Sequence, residues 1–453
     1  MFADWLWGNV LGYLLLIVGL YFSVRLGFPQ IKHFKRAFKN MFSNMKKVED
    51  GTSGFGVMMA ALGGQIGTGS LVGVASAILA GGPGAIFWMW MTAVFGMAIT
   101  YGEAILGQIF REKKQDNYTG GPAYYIDKGL GLKWISVIMS ILYVLGIGFA
   151  IASLQTYSIA QVFTGVMDIN PIIIGIIVTI LAMLVIFGGV SRISMISEKL
   201  VPFMGITYIL FIIAILFMNI GKIPSVFYSI FKGAFSPIAM GGGVIGWTVA
   251  DAFRQGLARG MFSNDAGNGA VATMHASTKA NHPVNQGLLA MIGTFITTIV
   301  VCTATALAIL STDVLSSNED GVLLLQKAFS SNFGSFGAWI IVFATVLFCF
   351  TTLVADMSYG EANLSYIFKK KDKLPIIIYR VVLSIFLVIA CTKKLDLIWA
   401  IIDVSVGFIV VINVIAMILL FRYIKYVNDD YFEQDKTGQE AFWDYQKNIK
   451  EIV

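Results

Sequence analysis

The sequence predicts an all-α polytopic membrane protein with eleven transmembrane helices: an accessory first helix, then two sets of five, the second inverted relative to the first. Three observations carry that prediction. Hydrophobic residues make up 57% of the 453 and charged residues only 13%, against the ~25% charge expected of a soluble domain, and the mean hydropathy is +0.78. Apolar runs of about 20 residues, the length that crosses ~30 Å of hydrocarbon, recur eleven times. Two of those runs are interrupted by glycine and polar residues, and each stands first in its set of five.

The first run, residues 8–28, belongs to the accessory N-terminal helix (1–28). Residues 1–10 carry Asp4 and no Lys or Arg, and no small-residue cleavage site follows, so this helix is expected to stay rather than be removed as a signal peptide. Residues 30–47 place Ile31, Phe34, Phe38, Met41, Phe42 and Met45 at helical spacing among lysines, the pattern of an amphipathic helix lying on the inner surface. The first five-helix repeat (54–219) contains spans 54–80, 84–110, 134–164, 171–190 and 199–219. The second (243–424) contains spans 243–275, 286–311, 335–367, 375–391 and 397–424. Residues 312–332, polar through Asp313, Glu319 and Asp320, are expected to cap an outer vestibule, and 425–453 form a cytoplasmic tail. No linker interrupts the chain, so 1–453 reads as a single membrane domain.

Charge orients this arrangement. With the N-terminus outside, 23 of the 32 Lys and Arg residues fall in inner loops, the surface helix and the tail, and five in outer loops. The positive-inside rule then sets N-out and C-in in a cell membrane. Anionic lipid at the cytoplasmic face accounts for the net charge of +6, so neither a nucleic acid nor an obligatory protein partner is implied. Cys302, Cys349 and Cys391 sit in apolar segments without metal-type spacing, and His33, His275 and His282 are scattered. No transition-metal site and no cofactor are expected. The tryptophans Trp5, Trp7, Trp88, Trp90 and Trp399 read as interface anchors.

The interruptions are the informative part. Gly63, Gly64, Gly67 and Gly69 place four glycines within seven residues of the second span, each costing about 1 kcal/mol in a helix interior. The seventh span is broken near Phe262-Ser-Asn-Asp-Ala-Gly-Asn-Gly-Ala270. Unpaired backbone is tolerated at membrane depth only where protein, water or a ligand satisfies it, and paired broken helices are how secondary transporters build substrate and ion sites. Glycines that merely let helices pack closely would not require Asn264, Asp265 and Asn268 in the same few residues.

The segments Gly67-Thr-Gly-Ser-Leu-Val-Gly-Val-Ala75, Gly81-Gly-Pro-Gly-Ala-Ile-Phe-Trp-Met-Trp90, Gly120-Gly-Pro-Ala-Tyr-Tyr-Ile126, Phe262-Ser-Asn-Asp-Ala-Gly267 and His282-Pro-Val-Asn-Gln-Gly287 resemble the alanine/glycine:cation symporter family. The resemblance covers nearly the whole chain. It implies a leucine-transporter-type fold with a 5+5 inverted repeat (helices 2–6 and 7–11), helices 2 and 7 discontinuous. It also implies symport of a small, alanine- or glycine-like amino acid with sodium or a proton by alternating access.

The chemistry of the breaks agrees. Amides of Thr68 and Gly69 at a half-helix N-terminus suit a carboxylate; carbonyls of Gly63, Gln65 and Ile66 suit a hard monovalent cation. By resemblance to the fold's common sodium site, Thr351 and Thr352 add hydroxyls, with bonding to their own preceding turn as the alternative. Ser70, Ser263, Asn264, Asp265 and Asn268 could receive the amine or line the side-chain pocket, and Gln155 matches a glutamine of the family. The chain departs from the family's usual asparagine at Ser70, glutamate at Asp265, methionine at Asn268, asparagine at Ala152 and Tyr157, and tryptophan at Asp356. Asp356 is an intramembrane carboxylate and hence a functional candidate: for the substrate ammonium, a cation or a proton, or else as a partner of Arg254. These departures leave open a different amino acid or proton coupling. Glu103, Glu361, Arg254 and Arg259 read as gate or structural ion-pair residues.

Other classes fit less well. A channel requires a continuous pore with repeated ligands. An intramembrane enzyme requires a nucleophile with its base or metal ligands, and neither His-Glu-x-x-His nor Gly-x-Ser-x-Gly is present. A non-transporting amino-acid sensor would share the binding site and differ only in flux.

Overall fold

The computed structural model describes residues 2–43, 53–114, 117–236, 247–317, 319–368, 374–437 and 441–445. Met45, Lys46 and Lys47 of the predicted surface helix, residues 243–246 of the seventh span, Lys369 to Lys371, Lys373, Lys447 and Lys450 lie outside the described residues. Apart from one antiparallel hairpin, β1 (Glu112–Lys114) with β2 (Asn117–Thr119), every regular element described is helical.

Helix α1 (2–25) passes through a π-helical turn at Trp7–Leu11. A turn at Pro29–Lys32 leads to α2 (Phe34–Ser43), so the surface helix is broken at His33. Next come α3 (Gly54–Gln65), α4 (Gly69–Gly81), α5 (Gly84–Ile109), the hairpin, α6 (Pro122–Leu130), α7 (Lys133–Thr164), α8 (Pro171–Ile186) and α9 (Gly189–Met218). Then follow α10 (Ile223–Phe235), α11 (Val249–Asn264), α12 (Ala270–His275), α13 (Pro283–Leu310), α14 (Gly321–Phe333), α15 (Ser335–Ile367), α16 (Leu374–Ala390), α17 (Leu395–Leu419) and α18 (Phe421–Lys436). Local signals start several of them. Ser53 accepts from the Gly56 amide, Asn170 accepts from Ile172 ahead of Pro171, and Thr248 forms a capping box with Asp251.

Seven described helices are long and apolar enough to cross a membrane, eight if α3 and α4, bent by 45°, count as one span. The chain is therefore a polytopic membrane protein. Of the remaining predicted spans, α8 and α16 are apolar but only 16 and 17 residues long, and α11 with α12 is interrupted and carries Asp251, Arg254 and Arg259. Burial separates interior from periphery: 72% of the apolar window of α15 is buried against 28% for α9. Helices α5, α11, α13 and α15 line the interior, whereas α8, α9 and α16 present Ile176, Ile180, Phe203, Leu210, Ile378 and Ile385 outward. Trp7 and Trp399 are buried rather than interfacial: the Trp7 indole donates to the Asp403 carbonyl, and Trp399 stacks under Arg259.

Elements missed in the sequence lie mostly outside the apolar runs: the hairpin, α6, α10, α14 and α18. Residues 312–332 are more than a polar cap, because α14 buries Leu324, Leu325, Ala328 and Phe329 and packs on α15. The predicted inner segments gather at one end of the molecule. Arg36 forms a bidentate pair with Asp435, His282 Nε2 lies 3.1 Å from Asp430, and Arg111 is sandwiched between the Tyr118 and Tyr445 rings. The Trp443 amide donates to the Asn281 carbonyl at 2.8 Å, closing the tail over the loop after α12. Burial against Tyr431 and Trp443 pushes His282 down to about 4, with Asp430 opposing. Two predicted outer loops meet through Lys222 and Asp313, 2.9 Å apart.

Candidate substrate and cation site

Both predicted breaks are present, and they touch. The first is narrower than residues 63–70: Gly63 and Gln65 are still in α3, only Ile66 and Gly67 leave the helix, and Gly69 and Ser70 begin α4 in a π-helical turn. The second spans 265–269, with Asp265, Gly267 and Gly269 at φ of 58°, 90° and 82°. Gln65 Nε2 donates to the Asn264 carbonyl at 2.8 Å, tying the end of one half-helix to the end of the other. At Gly69 a Cβ would stand 2.8 Å from Ser263 Cα and 3.1 Å from the Phe262 oxygen, so only glycine permits the two chains to lie this close.

The candidate cation ligands converge in part. Thr351 and Thr352 hydroxyls lie 3.1 and 2.7 Å from the Gly63 carbonyl, and the same hydroxyls reach the Phe348 carbonyl one turn earlier on α15. Each oxygen thus bonds to its own turn, the expected alternative, and also faces the end of α3. Gly67 makes room for them, since a Cβ there would meet Thr352 Oγ1 at 2.3 Å. The Gln65 carbonyl is taken by the Gly67 amide at 3.0 Å, and Ile66, at ψ 68°, turns the chain.

On the substrate side, the amide of Thr68 donates to Gln155 Oε1 at 3.1 Å, while the buried Thr68 hydroxyl has no partner. Gln155 also reaches Asp356, whose Oδ2 is buried without a hydrogen bond. The alternative pairing of Asp356 with Arg254 is not realised; Arg254 lies 3.4 Å from Asp251. Ser263 Oγ approaches Cys302 Sγ at 2.9 Å and Ser70 Oγ at 3.5 Å, joining α11, α13 and α4.

Asn264 and Asn268 serve the backbone instead of an open pocket. Asn264 Oδ1 accepts from the Ala266 amide and Asn268 Oδ1 from the Ala270 amide, while Asn268 Nδ2 donates to Asp265 Oδ1 at 2.6 Å. The expected ion pairs form at Arg259 with Asp403, 2.8 Å, and at Arg380 with Glu361, 2.5 Å. Glu103 makes no ion pair among the described residues; it accepts from Asn413 at 2.7 Å beside the second break. Asn413 and Tyr143, which hold that break, went unnoticed in the sequence because each reads as one polar residue in an apolar run; Tyr125, which bonds Asn413, lies in the 120–126 motif, to which no role was given. No group of His, Cys, Asp and Glu among the described residues has the arrangement of a metal site.

Comparison with known proteins follows the same lines. The model of the sodium:alanine symporter family matches residues 1–444. The chain is 36% identical over 428 residues to the sodium/alanine symporter AgcS of Methanococcus maripaludis, covering 92% of this chain and 93% of that protein. It is 34% identical over 436 residues to the amino-acid carrier protein AlsT of Bacillus subtilis, covering 96% and 92%. It is 35% identical over 439 residues to the probable sodium/glutamine symporter GlnT of the same organism, covering 96% and 91%. Two touching helix breaks in a membrane bundle, with a match along nearly the whole length, lead to one conclusion: this chain belongs to the sodium:alanine symporter family, whose members carry out cation-coupled amino-acid symport.

Proposed function

We propose that this symporter imports a small neutral amino acid together with sodium, through a leucine-transporter-type arrangement of eleven spans. In this reading one membrane domain holds two inverted halves, 54–219 and 243–424, with N-terminus outside and C-terminus inside. The observation that carries it is the convergence of Thr351 and Thr352 on the Gly63 carbonyl, beside a half-helix start at which Gln155 already occupies the Thr68 amide. A carbonyl at a helix C-terminus and two hydroxyls supply hard oxygens for a monovalent cation, with Gln65 and Ile66 adjoining. An amide at a helix N-terminus suits a carboxylate, and Gln155 Oε1 stands as the acceptor that a substrate carboxylate would replace at Thr68 and Gly69. In this reading Ser70 and Ser263 flank the amino acid, and Asn264, Asp265 and Asn268 shape the second break beside it. Relatives named for alanine and for glutamine support a neutral amino acid without fixing its size.

A second reading, proton coupling, is favoured by Asp356, a buried carboxyl with an unpartnered oxygen beside Gln155. Purified protein in proteoliposomes separates the two: amino-acid accumulation driven by an imposed sodium gradient supports the first, accumulation driven by a proton gradient alone the second. Asp356→Asn sharpens the split. Under proton coupling this variant loses concentrative uptake and keeps exchange, which needs no return of the empty carrier. Binding with no flux under either gradient overturns transport and leaves a sensor.

A further inference from the structure

One buried carboxyl lies outside the functions assigned so far. Glu103, on α5, is fully buried and belongs to no ion pair among the described residues. One oxygen accepts from Asn413 Nδ2 at 2.7 Å, and the same nitrogen donates to the Gly267 carbonyl at 2.9 Å. Asn413 Oδ1 accepts from the Tyr125 hydroxyl, so both hydrogens and the oxygen of this amide are committed and its orientation is fixed. The other carboxyl oxygen, Oε2, is buried without a hydrogen bond, and the backbone amides of Gly267 and Gly269 are turned toward the same carboxyl.

The segment facing this carboxyl is strongly contorted. Asp265, Gly267 and Gly269 have left-handed φ values within five residues, and the Asn268 carbonyl is held by the Tyr143 hydroxyl. Left-handed backbone in a non-glycine residue persists only where the surroundings impose it. Besides the caps from Asn264 and Asn268, residues 265–269 receive polar partners from α5, α7 and α17, and Glu103 lies where these meet the peptides between Gly267 and Gly269.

We propose that Glu103 is the positioning residue of the second break. Through Asn413 it fixes the Gly267 peptide, and with Oε2 it offers an acceptor to the amides of Gly267 and Gly269 as the break rearranges, so that the 265–269 segment keeps its place beside the bound amino acid. Glutamine at this position has one acceptor oxygen for two sets of donors and would turn an N–H toward either Asn413 or the peptide amides. The inference rests on reading the two touching breaks as the transport site.

The test is ligand-dependent thermal stabilisation of the purified protein, with sodium alone and with sodium plus alanine, for wild type, Glu103→Gln and Tyr125→Phe. Glu103→Gln is expected to raise the alanine concentration for half-maximal stabilisation at least tenfold, while the sodium response without amino acid, which reports the first break, stays at the wild-type value. Tyr125→Phe, which frees Asn413 to rotate, is expected to move the alanine response the same way by a few-fold. A general loss of packing would shift both responses together and overturn the proposal. So would a wild-type alanine response in Glu103→Gln or, if that variant does not fold, in Tyr125→Phe. Wild-type protein responding to no amino acid and no cation would instead remove the transport-site reading itself.

Discussion

The two helix breaks solve one problem in opposite ways. The first loses only Ile66 and Gly67, keeps every φ negative, and leaves its freed groups to be met from other helices, by Gln155 and the two threonines of α15. The second opens five residues, accepts three positive φ values, and satisfies much of its backbone with its own Asn264 and Asn268 side chains. A break that depends on distant partners is sensitive to what occupies them. One that carries its own caps is a preformed fold that must be anchored as a unit. The first thus suits ligands that join and leave, and the second suits a framework held by Glu103, Asn413 and Tyr143.

The largest test of that contrast is Gly69→Ala, where the breaks touch. The new Cβ would meet α11 backbone at 2.8 Å, and overpacking of this kind costs about 1–3 kcal/mol. Uptake is expected to fall about 100-fold, at ~1.4 kcal/mol per factor of ten, with the protein still reaching the membrane. Near-normal uptake would mean the close approach is incidental. Next in size is the double change Thr351→Ala with Thr352→Ala, which removes both hydroxyls facing the Gly63 carbonyl. The cation concentration for half-maximal uptake should rise about tenfold, with the amino-acid constant following through coupling. Unchanged cation dependence would take α15 out of the ion site.

A smaller effect is expected at Asp265, whose φ of 58° and bond to Asn268 belong to the self-capped break. Asp265→Ala trades a residue tolerant of left-handed backbone for one that is not, a cost of about 1–2 kcal/mol, and should lower the melting temperature by about 2 °C. No change in melting would show that residues 265–269 relax freely.

The smallest effect is expected at the end of the molecule where Arg36, His282 and the tail meet. Because burial holds this imidazole down to about 4, the unfolded chain takes up a proton that the folded one refuses between about 6.5 and 4. The stability it contributes is complete above about pH 6.5 and is lost as pH falls toward 4. The melting temperature should therefore fall as pH is lowered over that interval, by less in His282→Asn, while Trp443 emission, reporting the ring packed on His282, shifts only as pH reaches about 4. An equal fall in both proteins would show that His282 does not govern this end of the molecule.

Much of this molecule was legible in the residues alone. The apolar runs fixed where helices form, because a backbone in hydrocarbon must bond within itself and the length of a run is the length of a span. Glycine clusters and the paired Asn264 and Asn268 announced both breaks, since those residue types are costly in a helix and cheap outside one. The helices of the connecting segments, α6, α10 and α14, were not legible, because their stability comes from a half-buried face whose partner lies far along the chain.

The same reason governs the site. Sequence named Thr351, Thr352 and Gly63, but only packing brings residues 288 apart within 3.1 Å of each other. Sequence also read Glu103 as a gate or structural ion-pair residue, whereas the fold gives it an amide from Asn413, 310 residues away, and the glycine backbone of the second break. Composition and spacing determine which segments are buried and which backbones must yield. Which buried polar group meets which is decided by tertiary structure alone, because an unsatisfied donor or acceptor in the interior costs the same wherever its partner lies in the chain.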